Sequence, residues 1–147
     1  MRFTEFDFHS GLLEGIEASG YETATPVQEQ VIPAILAGKD IIASAQTGTG
    51  KTAAFLLPMI DRLLNNHKDG QVGALIIVPT RELAVQISQH LEGLSYFTHI
   101  SSIAIYGGSD GQTFITEKKA LQMGAVDYII KPNSISTLSA MLKKILN

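Results

Sequence analysis

Residues 40–52 of this chain read DIIASAQTGTGKT, which is the strongest local signal in the sequence. An apolar β-branched run leads into a glycine-rich turn, and a helical pattern begins at Lys51. Gly48 and Gly50 let the backbone curl so that successive N–H groups point at one anion, and the following helix N-terminus adds partial positive charge. In such a loop Lys51 reaches the outer phosphates and the Thr52 hydroxyl ligates Mg²⁺.

The stretch therefore predicts a phosphate-binding loop, although the strict pattern has glycine where this chain has Ala45. The alternative is a glycine-rich turn with a purely structural role. The predicted loop residues are Gln46, Thr47, Gly48, Thr49, Gly50, Lys51 and Thr52.

The rest of the chain alternates apolar runs with helical patterns. The apolar runs, which predict strands, are 40–45, 74–79, 101–106 and 126–131. The segments that follow them, with apolar residues at helical spacing, are 51–66, 81–94, 114–122 and 134–146. Two further helices are predicted before the first run, at 10–19 and at 26–37, where Thr25 is the expected N-cap.

This alternation indicates an α/β protein. We expect a three-layer α/β/α sandwich with a parallel sheet of four to five strands, of P-loop or flavodoxin-like type. A single domain over residues 1–147 is the simplest organisation, because the sequence contains no low-complexity linker and no repeat.

Composition excludes several classes of protein. The 147 residues include 11 Lys and Arg, 14 Asp and Glu and no cysteine, and the net charge is −3. This balance argues against a strongly basic nucleic-acid module, and the absence of cysteine excludes disulfides and cysteine metal sites. The four histidines lack ligand spacing, and there is neither a signal-peptide pattern nor an apolar run that could span a bilayer. We therefore expect a cytoplasmic protein without a membrane partner.

Four motifs, in order, carry a family resemblance. They are GYETATPVQ at 20–28, the loop at 46–52, PTRELA at 79–84 and the pair Gly107–Gly108. From about residue 3 to residue 119 the chain resembles the N-terminal RecA-like domain of DEAD-box ATP-dependent RNA helicases.

The resemblance implies ATP or ADP with Mg²⁺ as cofactor. It also implies that Tyr21 stacks on adenine, that Gln28 hydrogen-bonds the adenine edge and that Phe3 supports this pocket. The RNA-backbone contacts that it implies are Thr80, Arg81, Gly107 and Gly108. For Arg81, a surface ion pair is the alternative.

The sequence departs from this family where hydrolysis is concerned. The family needs an apolar strand that ends in Asp-Glu-Ala-Asp, and no acid after Glu82 closes an apolar run. The Ser-Ala-Thr motif and the second RecA-like domain are also absent from the sequence. Without these groups a phosphate loop can bind nucleotide and do little chemistry. We therefore expect neither efficient ATP turnover nor unwinding, and RNA is not an expected partner.

Residues 120–147 carry a second resemblance. The stretch ALQMGAVDYIIKP at 120–132, with Leu138 and Leu142 after it, is similar to the end of response-regulator receiver domains, which are flavodoxin-like. No aspartate stands where such a domain accepts phosphate, so signalling is not expected. We interpret the chain as an engineered chimera, a de novo protein with a helicase-like part (1–119) and a receiver-like part (120–147). Its exposed sheet edge would be a candidate for homodimerisation.

Two functions remain open from the sequence. The first is a nucleotide- or phosphate-binding module of DEAD-box type that lacks hydrolysis and is not a competent helicase. The second is an inactive scaffold whose loop binds at most phosphate or sulfate. A working RNA-dependent ATPase is the least favoured third alternative.

Overall fold

A computed structural model describes residues 1–66 and 70–106, together with Ala140 and Lys143. Residues 1–66 and 73–104 lie in one compact unit, whereas residues 70–72, 105, 106, 140 and 143 belong to a second. Ala140 and Lys143 are helical and exposed, within the predicted helix 134–146. The predicted helix 114–122 and the predicted strand 126–131 lie outside the described residues.

Helices dominate the first unit. They are a 3₁₀ turn at Phe3–Phe6, α1 at Ser10–Ala18, α2 at Pro26–Leu36, α3 at Lys51–Asn66 and α4 at Arg81–Leu94. The four α-helices confirm the predicted ones to within one residue at each end. In the part of the chain that the structure describes, no helix is long and apolar enough to cross a membrane.

Local chemistry explains where these helices begin and end. The Thr80 hydroxyl accepts a hydrogen bond from the Leu83 N–H at 3.2 Å and caps α4, while Thr25 with Pro26 begins α2 as predicted. Gly20 and Gly38 follow α1 and α2 with φ of +76° and +77°. Glycine adopts this left-handed conformation without a Cβ penalty, and it ends both helices there.

The predicted sheet is not confirmed. Across the described ranges, the runs 40–45, 74–79 and 101–106 contain no strand. Leu75 and Ile77 in the run 74–79 are 76% and 78% exposed, although the prediction placed this run in a sheet covered on both faces. An apolar β-branched run favours a strand, but the strand forms only where a neighbouring segment supplies a hydrogen-bonded ladder. The predicted homodimer through a sheet edge therefore stays a prediction.

The core of the first unit is built around α3. Leu56, Leu57 and Ile60 are completely buried on this helix, and α2 packs along it while α1 contacts both α3 and α4. Buried Asp61 accepts hydrogen bonds from the His9 N–H at 2.8 Å and from Asn65 Nδ2 at 3.1 Å. The bond from His9, the N-cap of α1, fixes the start of α1 on α3, and the bond from Asn65 orients the Asp61 carboxylate within α3.

Helix α1 passes so close to the end of α4 that only glycine fits at residue 15. A Cβ on Gly15 would overlap the Leu94 carbonyl oxygen and would lie 2.9 Å from the Leu94 carbonyl carbon. A Cβ on Gly93 of α4 would meet only the Ser19 hydroxyl, at 3.8 Å. The two helical glycines therefore differ in how much room each leaves for a Cβ atom.

We predict opposite effects when these two glycines are replaced by alanine. Gly15→Ala should lower the free energy of unfolding by about 1–3 kcal/mol because α1 must move away from α4. Gly93→Ala should leave stability unchanged or raise it by up to about 1 kcal/mol because alanine is the better helix former. Urea unfolding followed by circular dichroism measures both; equal effects would mean that α1 does not lie against Leu94.

Candidate functional site

The predicted phosphate loop leads into the first turn of α3. Gly48 and Gly50 have φ of +81° and +82°, a left-handed conformation that glycine adopts without a Cβ penalty. The Gly50 carbonyl accepts the first helical hydrogen bond of α3, from Ala54 N at 3.0 Å. Lys51 and Thr52 are half-buried at the start of this helix, whereas Gln46, Thr47 and Gly48 are exposed.

The loop is closed on itself by two side chains. The Thr49 hydroxyl donates to the Gln46 carbonyl at 2.7 Å, and Lys51 Nζ donates to the carbonyl of Ala45. The second bond joins the entrance of the loop to its exit. An anion in the loop would therefore compete with the Ala45 carbonyl for the Lys51 ammonium.

Helix α2 holds the loop from the other side. The Thr25 hydroxyl donates to the Thr49 carbonyl at 2.8 Å, and Gln28 Nε2 donates to the Gly50 carbonyl at 3.1 Å. The Gln28 side chain is itself fixed, because its Oε1 accepts from the Thr25 N–H at 2.9 Å. Two consecutive loop carbonyls are thus tied to the first turn of α2.

These two bonds set the direction of the loop N–H groups. In a trans peptide the carbonyl and the next N–H point in opposite directions, and no cis peptide occurs among the described residues. Since the carbonyls of Thr49 and Gly50 point at α2, the N–H groups of Gly50 and Lys51 point away from it. This is the arrangement that an anion-binding loop requires.

The Gln28 side chain joins α2 to the phosphate loop, a structural role that the sequence analysis did not predict. It is 1% exposed, and its amide uses one donor on Gly50 and one acceptor site on Thr25. One N–H and one lone pair remain, which is the complement that an adenine edge requires. Reading of adenine by Gln28 stays a prediction, while its hydrogen bonds to the loop and to Thr25 are direct features of the structure.

Tyr21 lies in a small cluster of side chains from three elements. Its ring meets the ring of buried Phe3 edge-on, with centroids 5.9 Å apart, and its hydroxyl lies 3.2 Å from His90 Nε2 on α4. Phe3 therefore contacts Tyr21, as the predicted supporting role needs. Tyr21 precedes Thr25 by four positions, so the two Cα atoms are at most about 14 Å apart.

The predicted RNA contacts are only partly described. Thr80 and Arg81 stand at the exposed start of α4, where N–H groups and the helix dipole favour a phosphate. The Thr80 hydroxyl is engaged in the helix cap. Gly107 and Gly108 lie outside the described residues.

A groove of about 510 Å³ borders Lys51. Its lining residues come from α2, from 39–43 and from α3: Val27, Val31, Ile35, Lys39, Asp40, Ile41, Ala43, Lys51, Ala54 and Phe55. Most of them are apolar.

A cation site of carboxylates and histidines is not present in the described ranges, where no three His, Asp or Glu side chains are grouped to hold a metal. The predicted Mg²⁺ ligand is Thr52, in the first turn of α3. One hydroxyl fits a magnesium ion that takes its other oxygens from water and from bound phosphates.

Comparison with known proteins identifies the family. Residues 25–145 match the DEAD/DEAH box helicase family. The chain belongs to this family. The match begins at Thr25 and includes the loop, α3 and α4, so the helices that form the candidate site lie within the shared region.

Two bacterial helicases illustrate the relationship. The ATP-dependent RNA helicase CshA of Listeria monocytogenes is 52% identical over 109 residues, which are 74% of this chain and 21% of the relative. The DEAD-box ATP-dependent RNA helicase RhpA of Helicobacter pylori is 46% identical over 106 residues, 72% of this chain and 21% of the relative. The chain thus spans about a fifth of the length of these curated relatives.

A solved structure gives the fold. The RNA helicase Prp28 from Chaetomium thermophilum, bound to ADP, matches with a TM-score of 0.73 and 32% identity. The match covers 99% of this chain and 35% of that one. The chain therefore has the RecA-like fold of a helicase domain. The expectation against RNA binding finds no support in these three relatives, each of which is named as an RNA helicase.

Sequence reasoning missed two contacts of the site. The Thr25–Gln28 bond could have been found, because Thr-x-x-Gln before an apolar run is the pattern of a capping box. The Tyr21–His90 contact joins residues 69 positions apart, and no local pattern indicates it.

The two loop glycines allow a matched test of the contact between α2 and the loop. A Cβ on Gly50 would overlap the Gln28 amide nitrogen, whereas a Cβ on Gly48 would meet nothing within 4 Å. Both alanine variants bear the left-handed strain of about 1–2 kcal/mol. We predict that Gly50→Ala lowers the free energy of unfolding by at least about 1 kcal/mol more than Gly48→Ala does. The reason is that the Gln28 amide must give up its hydrogen bond to the Gly50 carbonyl.

Urea unfolding of the two variants, alone and combined with Gln28→Ala, measures this difference. It should shrink once the Gln28 side chain is removed. A difference that persists unchanged in the Gln28→Ala background would place the cost of Gly50→Ala elsewhere in the loop.

Proposed function

We propose that residues 46–52 bind the phosphates of an adenine nucleotide, ATP or ADP with Mg²⁺. The observation that carries this proposal is the pair of hydrogen bonds from Thr25 and Gln28 to the loop carbonyls. They turn the N–H groups of Gly50 and Lys51 away from α2 before any ligand arrives. A preorganised donor set binds an anion at lower entropic cost than a loop that must be ordered by its ligand.

The charges at the loop support the same function. The N-terminus of α3 contributes partial positive charge, and Lys51 adds a full one. On binding, the Lys51 ammonium would exchange the Ala45 carbonyl for phosphate oxygens. Mg²⁺ would be held by Thr52 together with phosphate oxygens and would neutralise part of the phosphate charge.

We propose that the nucleobase binds on the side of the site that Tyr21 occupies. Phe3 supports the Tyr21 ring edge-on, and the remaining donor and acceptor of the Gln28 amide match adenine better than guanine. Gln46, Thr47, Gly48 and Thr49 complete the loop around the phosphates.

We propose that this chain by itself hydrolyses ATP poorly. The acids after Glu82 are Glu92, Asp110, Glu117 and Asp127, and none of them closes an apolar run in the sequence. Positioning of water and stabilisation of the transition state need groups beyond the loop. Thr80 and Arg81, with Gly107 and Gly108, are the proposed RNA-contacting residues of the family type.

The origin of residues 120–147 belongs to the proposal as well. The sequence resemblance to receiver domains supports an engineered chimera, and the curated relatives align with only about three quarters of this chain. The family match through residue 145 supports instead a part of a helicase domain. A single genomic reading frame that encodes all 147 residues would reject the chimera.

We predict that Lys51→Ala lowers the affinity for Mg-ADP at least about tenfold, because a charge-assisted hydrogen bond is lost. Arg62→Ala, the same charge change further along α3, should leave affinity within about twofold. Isothermal titration with Mg-ADP, Mg-ATP, Mg-GTP and inorganic tripolyphosphate measures this. Adenine nucleotides should bind more tightly than Mg-GTP.

The outcomes separate the two functions that the sequence left open. Equal, weak binding of all four ligands and, in further titrations, of phosphate and sulfate, with no preference for adenine, would support the inactive scaffold. An equal loss of affinity in Lys51→Ala and Arg62→Ala would mean that binding depends on the net charge of the protein and not on the phosphate loop. Release of phosphate from Mg-ATP at rates typical of an RNA-stimulated ATPase would overturn the proposal of poor hydrolysis.

A further inference from the structure

His90 is tied to the nucleotide site by one side-chain contact. Its Nε2 lies 3.2 Å from the Tyr21 hydroxyl, although His90 is exposed on α4 and no motif points to it. The contact crosses 69 positions of sequence, so it forms only when α1 and α4 have packed together.

The backbone of Tyr21 is already fixed by α1. The Tyr21 N–H donates to the Ile16 carbonyl at 3.1 Å, and the Gly20 N–H donates to the Glu17 carbonyl at 2.9 Å. With φ of +76° at Gly20, this turn ends α1 and places Tyr21 directly after it. The Cα position is therefore set, whereas rotation of the side chain is not.

Two contacts limit that rotation. The Phe3 ring meets the Tyr21 ring at an interplanar angle of 78°, and His90 holds the hydroxyl at the far end. Without His90 the phenol would keep its contact with Phe3 but lose the bond that fixes its outer end. An aromatic side chain that is already held in place loses less conformational entropy when a base stacks on it.

We propose that His90 is a positioning residue of the base site, which holds Tyr21 in the orientation that accepts the nucleobase. The proposal rests on the proposed nucleotide-binding function and extends it to a residue on α4. His90 then determines how strongly the base, but not the phosphates, contributes to binding.

The test compares Mg-ADP with inorganic tripolyphosphate, which engages the loop but has no base. Tyr21→Phe removes only the hydroxyl, and His90→Leu removes only its partner. Each should weaken Mg-ADP binding by about fivefold and leave tripolyphosphate binding unchanged. The double variant should be no weaker than either single one, because both remove the same hydrogen bond.

Two further variants serve as controls. His90→Gln offers an amide that can bond the tyrosine hydroxyl and should recover most of the Mg-ADP affinity. His99→Leu, at an exposed histidine on the loop after α4, should bind Mg-ADP as the unaltered chain does. Urea midpoints of all variants verify that each is folded.

Each contrary outcome has a defined meaning. Additive losses, unchanged Mg-ADP affinity in His90→Leu, or parallel loss of tripolyphosphate binding would overturn the role of His90. Tripolyphosphate binding without preference for Mg-ADP in the unaltered chain would leave the phosphate loop intact and reject the base site together with His90. Binding of neither ligand would reject the proposed function itself, and with it this inference.

Discussion

The contact between the first turn of α2 and the carbonyls of the phosphate loop is the interaction on which the site depends. Thr25 and Gln28 bond two consecutive carbonyls, and the planar trans peptide converts this into a direction for the next two N–H groups. The buried Gln28 amide can stay in the interior because both of its polar atoms are hydrogen-bonded. An unsatisfied amide there would cost about 1–3 kcal/mol.

The helix that supports this contact also supports the core. Leu56, Leu57 and Ile60 on α3 are completely buried, and α3 begins at Lys51, the last but one residue of the phosphate loop. Packing of α2 on α3 therefore brings Gln28 to Gly50 as a consequence of burying apolar side chains. The hydrophobic contact between α2 and α3 therefore determines the geometry of the polar contact between Gln28 and the loop.

The sequence predicts the helices well because their signals are local. Thr25 and Pro26 begin α2, Gly20 and Gly38 follow helix ends with positive φ, and Thr80 caps α4. The sheet could not be predicted in the same way. The sheet is not confirmed in the described residues, where Leu75 and Ile77 are largely exposed, because an apolar run favours a strand but its neighbours decide whether the strand pairs. The same distinction between local and long-range signals applies to the candidate site. Residues 46–52 were recognisable because glycines, a lysine and a threonine at fixed spacing form the pattern of a phosphate-binding loop. The contact of Tyr21 with His90 could not be predicted from the sequence, because it depends on how α1 and α4 pack and not on any short stretch of sequence.

The two sides of the loop are held by different means, and this difference bears on ligand binding. Neutral hydrogen bonds from α2 hold the exit of the loop, and a phosphate would leave them in place. The entrance is held by Lys51 on the Ala45 carbonyl, and Lys51 is also the cation that a phosphate needs. Phosphate binding at this loop, as proposed, would therefore keep the donor geometry at the exit but break the Lys51 hydrogen bond at the entrance. The net affinity would depend on how much stronger the new charge-assisted hydrogen bond from Lys51 to phosphate is than the former bond to the Ala45 carbonyl. Water would then hydrate the released carbonyl.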